Sequence, residues 1–398
     1  MTKFNRRNFL GAFGSGLFGL GLNRKMIASE TQPNFRSGQE SELKIKKYNP
    51  LGKTGLKVSD VSCGAISFFE PNVLRYALDL GVNYFDTAEG YMNKKSESFI
   101  GQALSDVRDK VIITTKHNYS RVKPEDLTKS HIINRMEESL KRLKTDYVDV
   151  ALVHDVGNLD FLKQGELLAA YEQLQKSGKI RFKGFSTHNA PVTLKQALNV
   201  DFADVVLVIY NHTPEQGKAI EPLIKQVREN GMGVIAMKIF AGGKQGNLKS
   251  MVSQNTSYPQ AAIRWILSNS NVDCCIPTMS SYSHVEEYVA ASGQPLNRED
   301  IGLIAEYQRQ ASNLYCRVGC DECHGICPDQ VEVNDVLRFN MYFDDYKMEK
   351  EAMRYYSEMD ERNKPLKCSN CSGMCTQACP YGLNVREKLI RAHEVLSA

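Results

Sequence analysis

Short apolar runs alternate with amphipathic segments along most of the chain between residues 48 and 312. The apolar runs have the length of buried parallel strands and occupy residues 58–64, 83–86, 111–116, 147–154, 180–186, 205–210, 233–238 and 272–276. Between them the period becomes helical, as in residues 129–143, where apolar side chains recur at i, i+3 and i+4. Eight strand–helix units predict an α/β fold, a (β/α)8 TIM barrel.

Polar residues stand at the ends of several of these runs, where such a barrel carries out its chemistry. Asp86 ends the second run and Tyr91 follows it, Lys116 ends the third and His154 ends the fourth. These residues suit carbonyl reduction, because hydride transfer leaves negative charge on an oxygen that an acid must protonate. Tyr91 is the candidate acid, and the charge of Lys116 is expected to lower its pKa.

In this interpretation Asp86 holds Lys116, and His154 donates a hydrogen bond to the substrate oxygen. Each residue also has an ordinary structural interpretation when it is taken alone. A strand-end aspartate caps a loop, a lysine reaches the surface, and a histidine after an apolar strand is satisfied within the core.

Taken together, the four residues resemble the catalytic tetrad of the aldo-keto reductase family. The resemblance covers roughly residues 48–291 and includes Gly90-Tyr91, Ser96-Glu97, Gly101, Gly184-Phe185-Ser186, Arg264-Trp265 and Ile276-Pro277. It implies an oxidoreductase that uses NADP(H) or NAD(H) on a carbonyl or alcohol substrate, sugar-derived compounds included. It also implies cofactor binding by Ser186, Lys238, Ser280, Ser281 and Glu287.

The cofactor positions depart from the family pattern. Three residues that contact the nicotinamide in the family are replaced, by Thr187, Leu207 and Met237. Ser280 stands where a basic residue usually pairs with the 2′-phosphate. The choice between NADP and NAD, and free exchange of either, therefore stays open, and Ser280 and Ser281 equally suit a solvated loop with a helix cap.

Eight of the eleven cysteines lie in two short runs near the end of the chain. The runs are Cys316, Cys320, Cys323 and Cys327, and Cys368, Cys371, Cys375 and Cys379, each ending in Cys-Pro. They resemble a bacterial-type ferredoxin domain, in which the fourth cysteine of each run binds the cluster of the other run. The resemblance implies two [4Fe-4S] clusters, although each run has one gap a residue longer than usual, so that one cluster could be altered or lost.

Zinc and disulfides are the alternatives for these cysteines. The segment between the runs is rich in Tyr and Met and is predicted to be helical, packing against the barrel rather than forming a separate site. The remaining cysteines, Cys63, Cys274 and Cys275, lie in apolar runs and are interpreted as buried, inert thiols.

The first residues resemble a twin-arginine export signal. Arg6-Arg7 precede Phe9-Leu10 and a Gly-rich apolar run that is too short to span a bilayer. A disordered basic start is the alternative. The predicted organisation is a signal at residues 1–30, a linker at 31–47, the barrel at 48–312 and the cysteine-rich domain at 313–398.

Composition is ordinary for a globular protein, with 42% hydrophobic and 24% charged residues among 398. A net charge of +4 gives no reason to expect nucleic-acid binding.

A reductase exported from the cytoplasm meets no NADPH pool, which leaves three alternatives. The nucleotide is retained during export, or electrons pass through the clusters to a redox partner protein. In the third alternative the signal is misinterpreted and the enzyme is cytoplasmic. The rival hypothesis is an electron-transfer or redox-sensing protein that uses the barrel only as a scaffold.

Overall fold

A computed structural model describes residues 43–398, except 68–69, 120–121, 214–216, 218, 243–250, 254, 312, 318–319, 321 and 324. The predicted export signal and most of the predicted linker lie outside the described residues. The described helices are too short or too polar to cross a membrane.

Eight parallel strands form the centre of the fold, after an antiparallel hairpin of β1 (Tyr48–Pro50) and β2 (Lys57–Ser59). In chain order they are β3 (Cys63–Gly64), β4 (Tyr84–Asp86), β5 (Ile112–His117), β6 (Val148–Val153), β7 (Ile180–Thr187), β8 (Val205–Ile209), β9 (Gly233–Met237) and β10 (Cys274–Cys275). Each pairs with the next, and parallel bridges Val61–Cys275 and Gly64–Thr278 join the last strand to the first. The predicted TIM barrel is confirmed.

The strands are buried on both faces, which explains their continuous apolar runs. In β8, Val205, Leu207 and Ile209 pack in the barrel interior, whereas Val206 and Val208 pack against the surrounding helices. Gly184 of β7 is required by close packing, because a Cβ atom there would lie 1.8 Å from the carbonyl oxygen of Val205.

Nine helices accompany the described strands: α1 (Pro71–Asp79), α2 (Lys95–Leu104), α3 (Lys129–Leu143), α4 (Gly165–Lys176), α5 (Ala190–Ala197), α6 (Glu221–Glu229), α7 (Tyr258–Leu267), α8 (Tyr282–Val289) and α9 (Arg298–Ala311). Short 3-10 helices cover Ser105–Lys110, Pro124–Asp126, Leu159–Lys163, Glu361–Asn363 and Cys368–Asn370. The predicted helix at residues 129–143 is confirmed with both ends. Its first turn is capped by the Thr128 hydroxyl, which accepts a hydrogen bond from the His131 N–H.

Two predicted strands are wrong in extent. The run at residues 58–64 divides between β2 and β3, because the Asp60 carboxylate accepts hydrogen bonds from the Ser292 hydroxyl at 2.6 Å and the Gly293 N–H at 2.8 Å. The run at 272–276 shortens to β10, because the Asp273 carboxylate turns to the Val234 N–H and to Arg228, each at 2.9 Å.

The C-terminal segment, residues 313–398, contains α10 (Val333–Asp344), α11 (Glu349–Ser357), α12 (Met374–Gln377) and α13 (Val385–Leu396). It has an apolar core of its own, which includes Val336, Leu389 and the partly buried thiol groups. The helices predicted between the cysteine runs are therefore present. Barrel and C-terminal segment belong to one compact unit, and the predicted boundary after residue 312 directly follows α9.

Candidate active site

A buried ion pair lies at the carboxyl end of the barrel. Lys116 on β5 contacts the carboxylate of Asp86, which ends the neighbouring strand β4, and also donates to the Thr87 carbonyl oxygen at 2.7 Å. The side chains of Lys116 and Asp86 are 0% and 2% exposed. Burial raises the pKa of Asp86 and lowers the pKa of Lys116, while the charge of each partner opposes these shifts.

The other two predicted catalytic residues lie beside this pair. The Lys116 ammonium is 5.0 Å from the centre of the Tyr91 ring, and the Tyr91 and His154 rings meet edge to face with centres 5.6 Å apart. The structure therefore brings Asp86, Tyr91, Lys116 and His154 together, although they come from three different strand ends.

The protonation of Tyr91 differs from the expectation. Its pKa is raised well above the usual value, first by burial and then by Asp86, Tyr342 and Tyr355, so the predicted lowering by Lys116 does not prevail. Burial and the charge of Lys116 hold the pKa of His154 well below its usual value. At neutral pH the site therefore holds a protonated phenol, which can donate a proton, beside a neutral imidazole, which has one N–H to donate.

Two cavities meet at Tyr91. The larger, about 540 Å³, extends from Asp86 and Tyr91 to Ser280 and His284. The smaller, about 390 Å³, lies between Tyr91, His154 and helices α10 and α11. Ile66, Tyr91, Met237 and Lys238 line both cavities. A molecule in one cavity would therefore meet a molecule in the other at the Tyr91 phenol.

Three of the predicted cofactor residues line the larger cavity. Ser280 lies 3.0 Å from the Nδ1 of His284, and Glu287 accepts a hydrogen bond from the Ser257 hydroxyl at 2.6 Å. Burial raises the pKa of Glu287. Lys238 stands where the two cavities join.

The other predicted cofactor residues line neither cavity. Ser281 caps α8 by accepting a hydrogen bond from the His284 N–H at 3.2 Å, and Ser186 accepts one from the Asp155 N–H at 2.9 Å. The three residues that replace the family's nicotinamide contacts lie in different places. The Thr187 hydroxyl accepts a hydrogen bond from the Asn189 N–H, and Leu207 lies in the barrel interior. Met237 lines both cavities.

Sequence reasoning missed several residues that line the cavities. Asn211 follows β8 and lines the larger cavity, a strand-end polar residue that the rule used for Lys116 could have found. The C-terminal segment supplies the others: Tyr315 and Arg317 to the larger cavity, and Arg338, Phe339, Tyr342 and Tyr355 to the smaller. For the residues on α10 and α11, the indication in the sequence was the Tyr-rich composition between the cysteine runs. From that composition we predicted only packing against the barrel.

Contacts across the smaller cavity fix the C-terminal segment to the barrel. The Tyr355 hydroxyl donates to the Gly90 carbonyl oxygen at 3.1 Å, next to Tyr91. Arg338 donates to His188 at 3.0 Å and lies 3.7 Å from the Asp155 carboxylate. The helices between the cysteine runs thus both pack against the barrel and form part of its cavity.

The eight clustered cysteines are free thiols. Burial raises the pKa of Cys316, and the cysteines that raise it further are Cys320, Cys323 and Cys379. Burial raises the pKa of Cys368 to about 12, with further contributions from Cys371, Cys327 and Cys375. Cys316 is thus influenced by Cys379 of the second run and Cys368 by Cys327 of the first, while Cys375 and Cys379 both raise the pKa of Cys323. Among the described residues, no three His, Cys, Asp or Glu side chains converge on the position of a single metal ion.

The helix after each run supports the cysteine loop before it. Asn334 of α10 donates to the carbonyl oxygens of Arg317 and Cys320, at 2.8 and 3.0 Å. Arg386 of α13 donates to the carbonyl oxygen of Cys368 at 2.8 Å. The two loops are thus held by comparable polar contacts.

Known proteins resemble the barrel part of the chain. A sequence model of the Aldo/keto reductase family matches residues 70–249. L-galactose dehydrogenase of Arabidopsis thaliana is 31% identical over 278 residues, 61% of this chain and 86% of that protein. Methylglyoxal reductase YeaE of Escherichia coli (strain K12) is 29% identical over 258 residues, 59% and 83% of the two chains. The holo form of an aldo-keto reductase from Bacillus halodurans superposes with a TM-score of 0.55 at 26% identity, covering 65% of this chain and 95% of that one.

Proposed function

The chain belongs to the aldo/keto reductase family and is an oxidoreductase of that type, and from this premise we propose that Tyr91 donates the proton in reversible reduction of a carbonyl group. The observation that carries the proposal is the buried Asp86–Lys116 pair beside Tyr91, at the junction of two cavities. A nicotinamide nucleotide would occupy the larger cavity and the carbonyl substrate the smaller.

Each residue of the tetrad has a role that follows from its surroundings. Tyr91 keeps its proton until negative charge develops on the substrate oxygen, which then takes it. The Lys116 ammonium, held by Asp86, offsets the charge left on the phenol oxygen. His154, neutral and packed against the Tyr91 ring, is positioned to hydrogen-bond the same oxygen.

The larger cavity has features that suit a nicotinamide nucleotide. Its lining extends from Tyr91 to Ser280 and includes Lys238 and Glu287. The family resemblance assigned Ser280, Lys238 and Glu287 to the cofactor. The nucleotide supplies the hydride when it is bound. Ser280 stands where the family usually has a basic residue that pairs with the 2′-phosphate of NADP. We therefore propose that NADP(H) and NAD(H) both be tested.

Replacing Tyr91 with Phe tests this function most directly. The variant should lose nearly all carbonyl reduction with NADPH or NADH, because the proton donor is gone, while nucleotide binding is kept. Tyr147→Phe is a matched control, since Tyr147 precedes β6 at the opposite end of the barrel and packs under Arg108 at 4.0 Å. Retained activity in Tyr91→Phe would overturn the assigned role.

We also propose two [4Fe-4S] clusters in the C-terminal segment. The support is the pair of mixed cysteine sets, Cys316, Cys320, Cys323 and Cys379, and Cys368, Cys371, Cys375 and Cys327. Bound clusters would store and pass single electrons.

Analysis of the anaerobically purified protein tests the clusters. Two clusters correspond to about eight iron and eight sulfide atoms per chain. Absorption that bleaches on addition of NADPH or NADH would support exchange of electrons between barrel and clusters. A colourless, iron-free protein would refute the clusters. A brown protein that neither binds nucleotide nor reduces any carbonyl would favour the electron-transfer or redox-sensing alternative.

Export through a twin-arginine signal is the third proposal, supported by Arg6-Arg7 and the apolar run that follows. Export of a folded, loaded protein would allow clusters and a retained nucleotide to be inserted before transport. If the signal does not function, the enzyme is cytoplasmic and can use the free nucleotide pool.

A further inference from the structure

A second lysine–tyrosine pair lies beside the tetrad. Lys238 follows β9 with a left-handed backbone, φ 55°, and its ammonium donates to the phenol oxygen of Tyr342 on α10 at 3.3 Å. The same ammonium is 5.0 Å from the centre of the Tyr342 ring and 5.6 Å from that of Tyr346. The pair joins the barrel to the C-terminal segment.

This pair lies at the junction of the two cavities, which Tyr91 also lines. Lys238 and Tyr91 line both cavities, whereas Tyr342 lines only the smaller cavity, proposed for the substrate. Tyr342 is also among the groups that raise the pKa of Tyr91. The Lys238 ammonium thus extends to the substrate side, although family resemblance assigned this residue to the cofactor.

Lys238 differs from the other cations of the smaller cavity in its partners. Arg135 pairs with Glu89, Arg354 with Glu358 at 3.0 Å, and Arg338 with Asp335 at 2.9 Å. Within the described ranges, the polar contact of the Lys238 ammonium is the Tyr342 phenol, which uses one of its three N–H donors. The neighbouring phenols Tyr342 and Tyr346 raise its pKa despite burial, so it stays charged at neutral pH. A partly buried ammonium with spare donors, lining a cavity, can bind a ligand that brings another oxygen.

We propose that Lys238 and Tyr342 bind a second oxygen of the substrate, carried by the carbon next to the carbonyl that reacts at Tyr91. The substrate class is therefore an α-oxygenated carbonyl compound, and the C-terminal segment takes part in selecting it. The inference rests on the proposed function and adds a specificity that the tetrad alone does not provide. Discrimination arises because a substrate without this oxygen leaves donors that line the cavity without that partner.

The first test compares two aldehydes that differ in one hydroxyl, lactaldehyde and propanal. Tyr342→Phe should lower kcat/KM for lactaldehyde by about tenfold to a hundredfold and leave propanal nearly unchanged. Lys238→Met should likewise lower kcat/KM for lactaldehyde more than for propanal. An equal loss for both aldehydes would show that the pair only holds α10 in place, and no loss for either would also overturn the proposal.

Tyr355→Phe is the matched control. Tyr355 lines the same cavity from α11, but its hydroxyl donates to the Gly90 carbonyl oxygen and not to Lys238. Loss of this contact should affect both aldehydes to the same extent. A selective loss with lactaldehyde in this variant would mean that the second oxygen is bound elsewhere.

A binding measurement separates this inference from the proposed function. The nucleotide-free protein is titrated with hydroxyacetone and acetone and followed by NMR, which requires no turnover. The wild-type protein should bind hydroxyacetone about tenfold more tightly, and Tyr342→Phe should bind the two ketones equally. If no aldehyde is reduced but this difference appears, the proposed function fails and the site stands; equal binding by the wild-type protein would overturn the site.

Discussion

Removing Lys116 should destabilise the barrel strongly, by an amount that depends on pH. The ammonium has two acceptors, Asp86 and the Thr87 carbonyl oxygen, whereas the second carboxylate oxygen of Asp86 has no hydrogen-bond partner among the described residues. Lys116→Met therefore leaves a buried carboxylate without a counter-ion. Such changes cost about 3–5 kcal/mol of the free energy of unfolding.

The same reasoning gives the sign of the pH dependence. Burial already raises the pKa of Asp86 with Lys116 present, and loss of the ammonium would raise it further. A carboxyl whose pKa is higher in the folded state keeps its proton there, so stability falls as pH rises from about 4 through the folded-state pKa. The variant should be closest to the wild-type protein near pH 4, lose about 1.4 kcal/mol for each pH unit above that, and show the full loss near pH 8.

Urea denaturation can measure both effects, with the fluorescence of the single tryptophan, Trp265 in α7, as the signal. Lys110→Met, at an exposed lysine before β5, should change stability by no more than about 0.5 kcal/mol. Asp86→Asn combined with Lys116→Met should recover about 2 kcal/mol, because a neutral amide costs less to bury than an unpaired carboxylate. A loss below about 1 kcal/mol at pH 8, or a double variant no more stable than Lys116→Met, would refute the account of the pair.

Two further predictions concern the ends of the chain. Cys379→Ala should remove about half of the iron and leave the spectrum of the cluster proposed at Cys368 unchanged. The control Cys275→Ala, in a buried strand, should keep all the iron. Complete loss of iron from Cys379→Ala without unfolding would contradict the mixed sets. Changing Arg6-Arg7 to Lys-Lys should keep the protein in the cytoplasm with its activity intact, as measured by cell fractionation, and unchanged export would exclude the twin-arginine route.

The architecture could be predicted because the barrel strands are buried on both faces and their apolar runs are continuous. The strand ends were less predictable where distant residues decide them. The run at 58–64 contains Asp60 among apolar neighbours, and nothing local shows that its carboxylate turns to Ser292, 232 residues away. Local pattern therefore gave the order of the elements but not the division between β2 and β3.

The tetrad could be predicted for a related reason. In a parallel barrel every strand ends at the same face, so Lys116 and Asp86 need only stand at neighbouring strand ends to meet. The pKa of Tyr91 could not be predicted this way, because it depends on burial and on phenols that α10 and α11 bring to the site. A sequence shows that a lysine is near, but not how completely water is excluded.

The contribution of the C-terminal segment to the active site changes how the cysteine runs are understood. Tyr355 contacts Gly90, Tyr342 contacts Lys238, and Asn334, on the same helix as Tyr342, supports the loop of Cys316. A side chain that lines the substrate cavity and a side chain that supports a cysteine loop therefore belong to one rigid helix, α10. If the proposed clusters bind, α10 connects the loop of Cys316 to the substrate cavity, with no linker between Asn334 and Tyr342. The proposed coupling between clusters and substrate would then need no separate docking step, because the helix that supports the cysteine loop also forms a wall of the cavity.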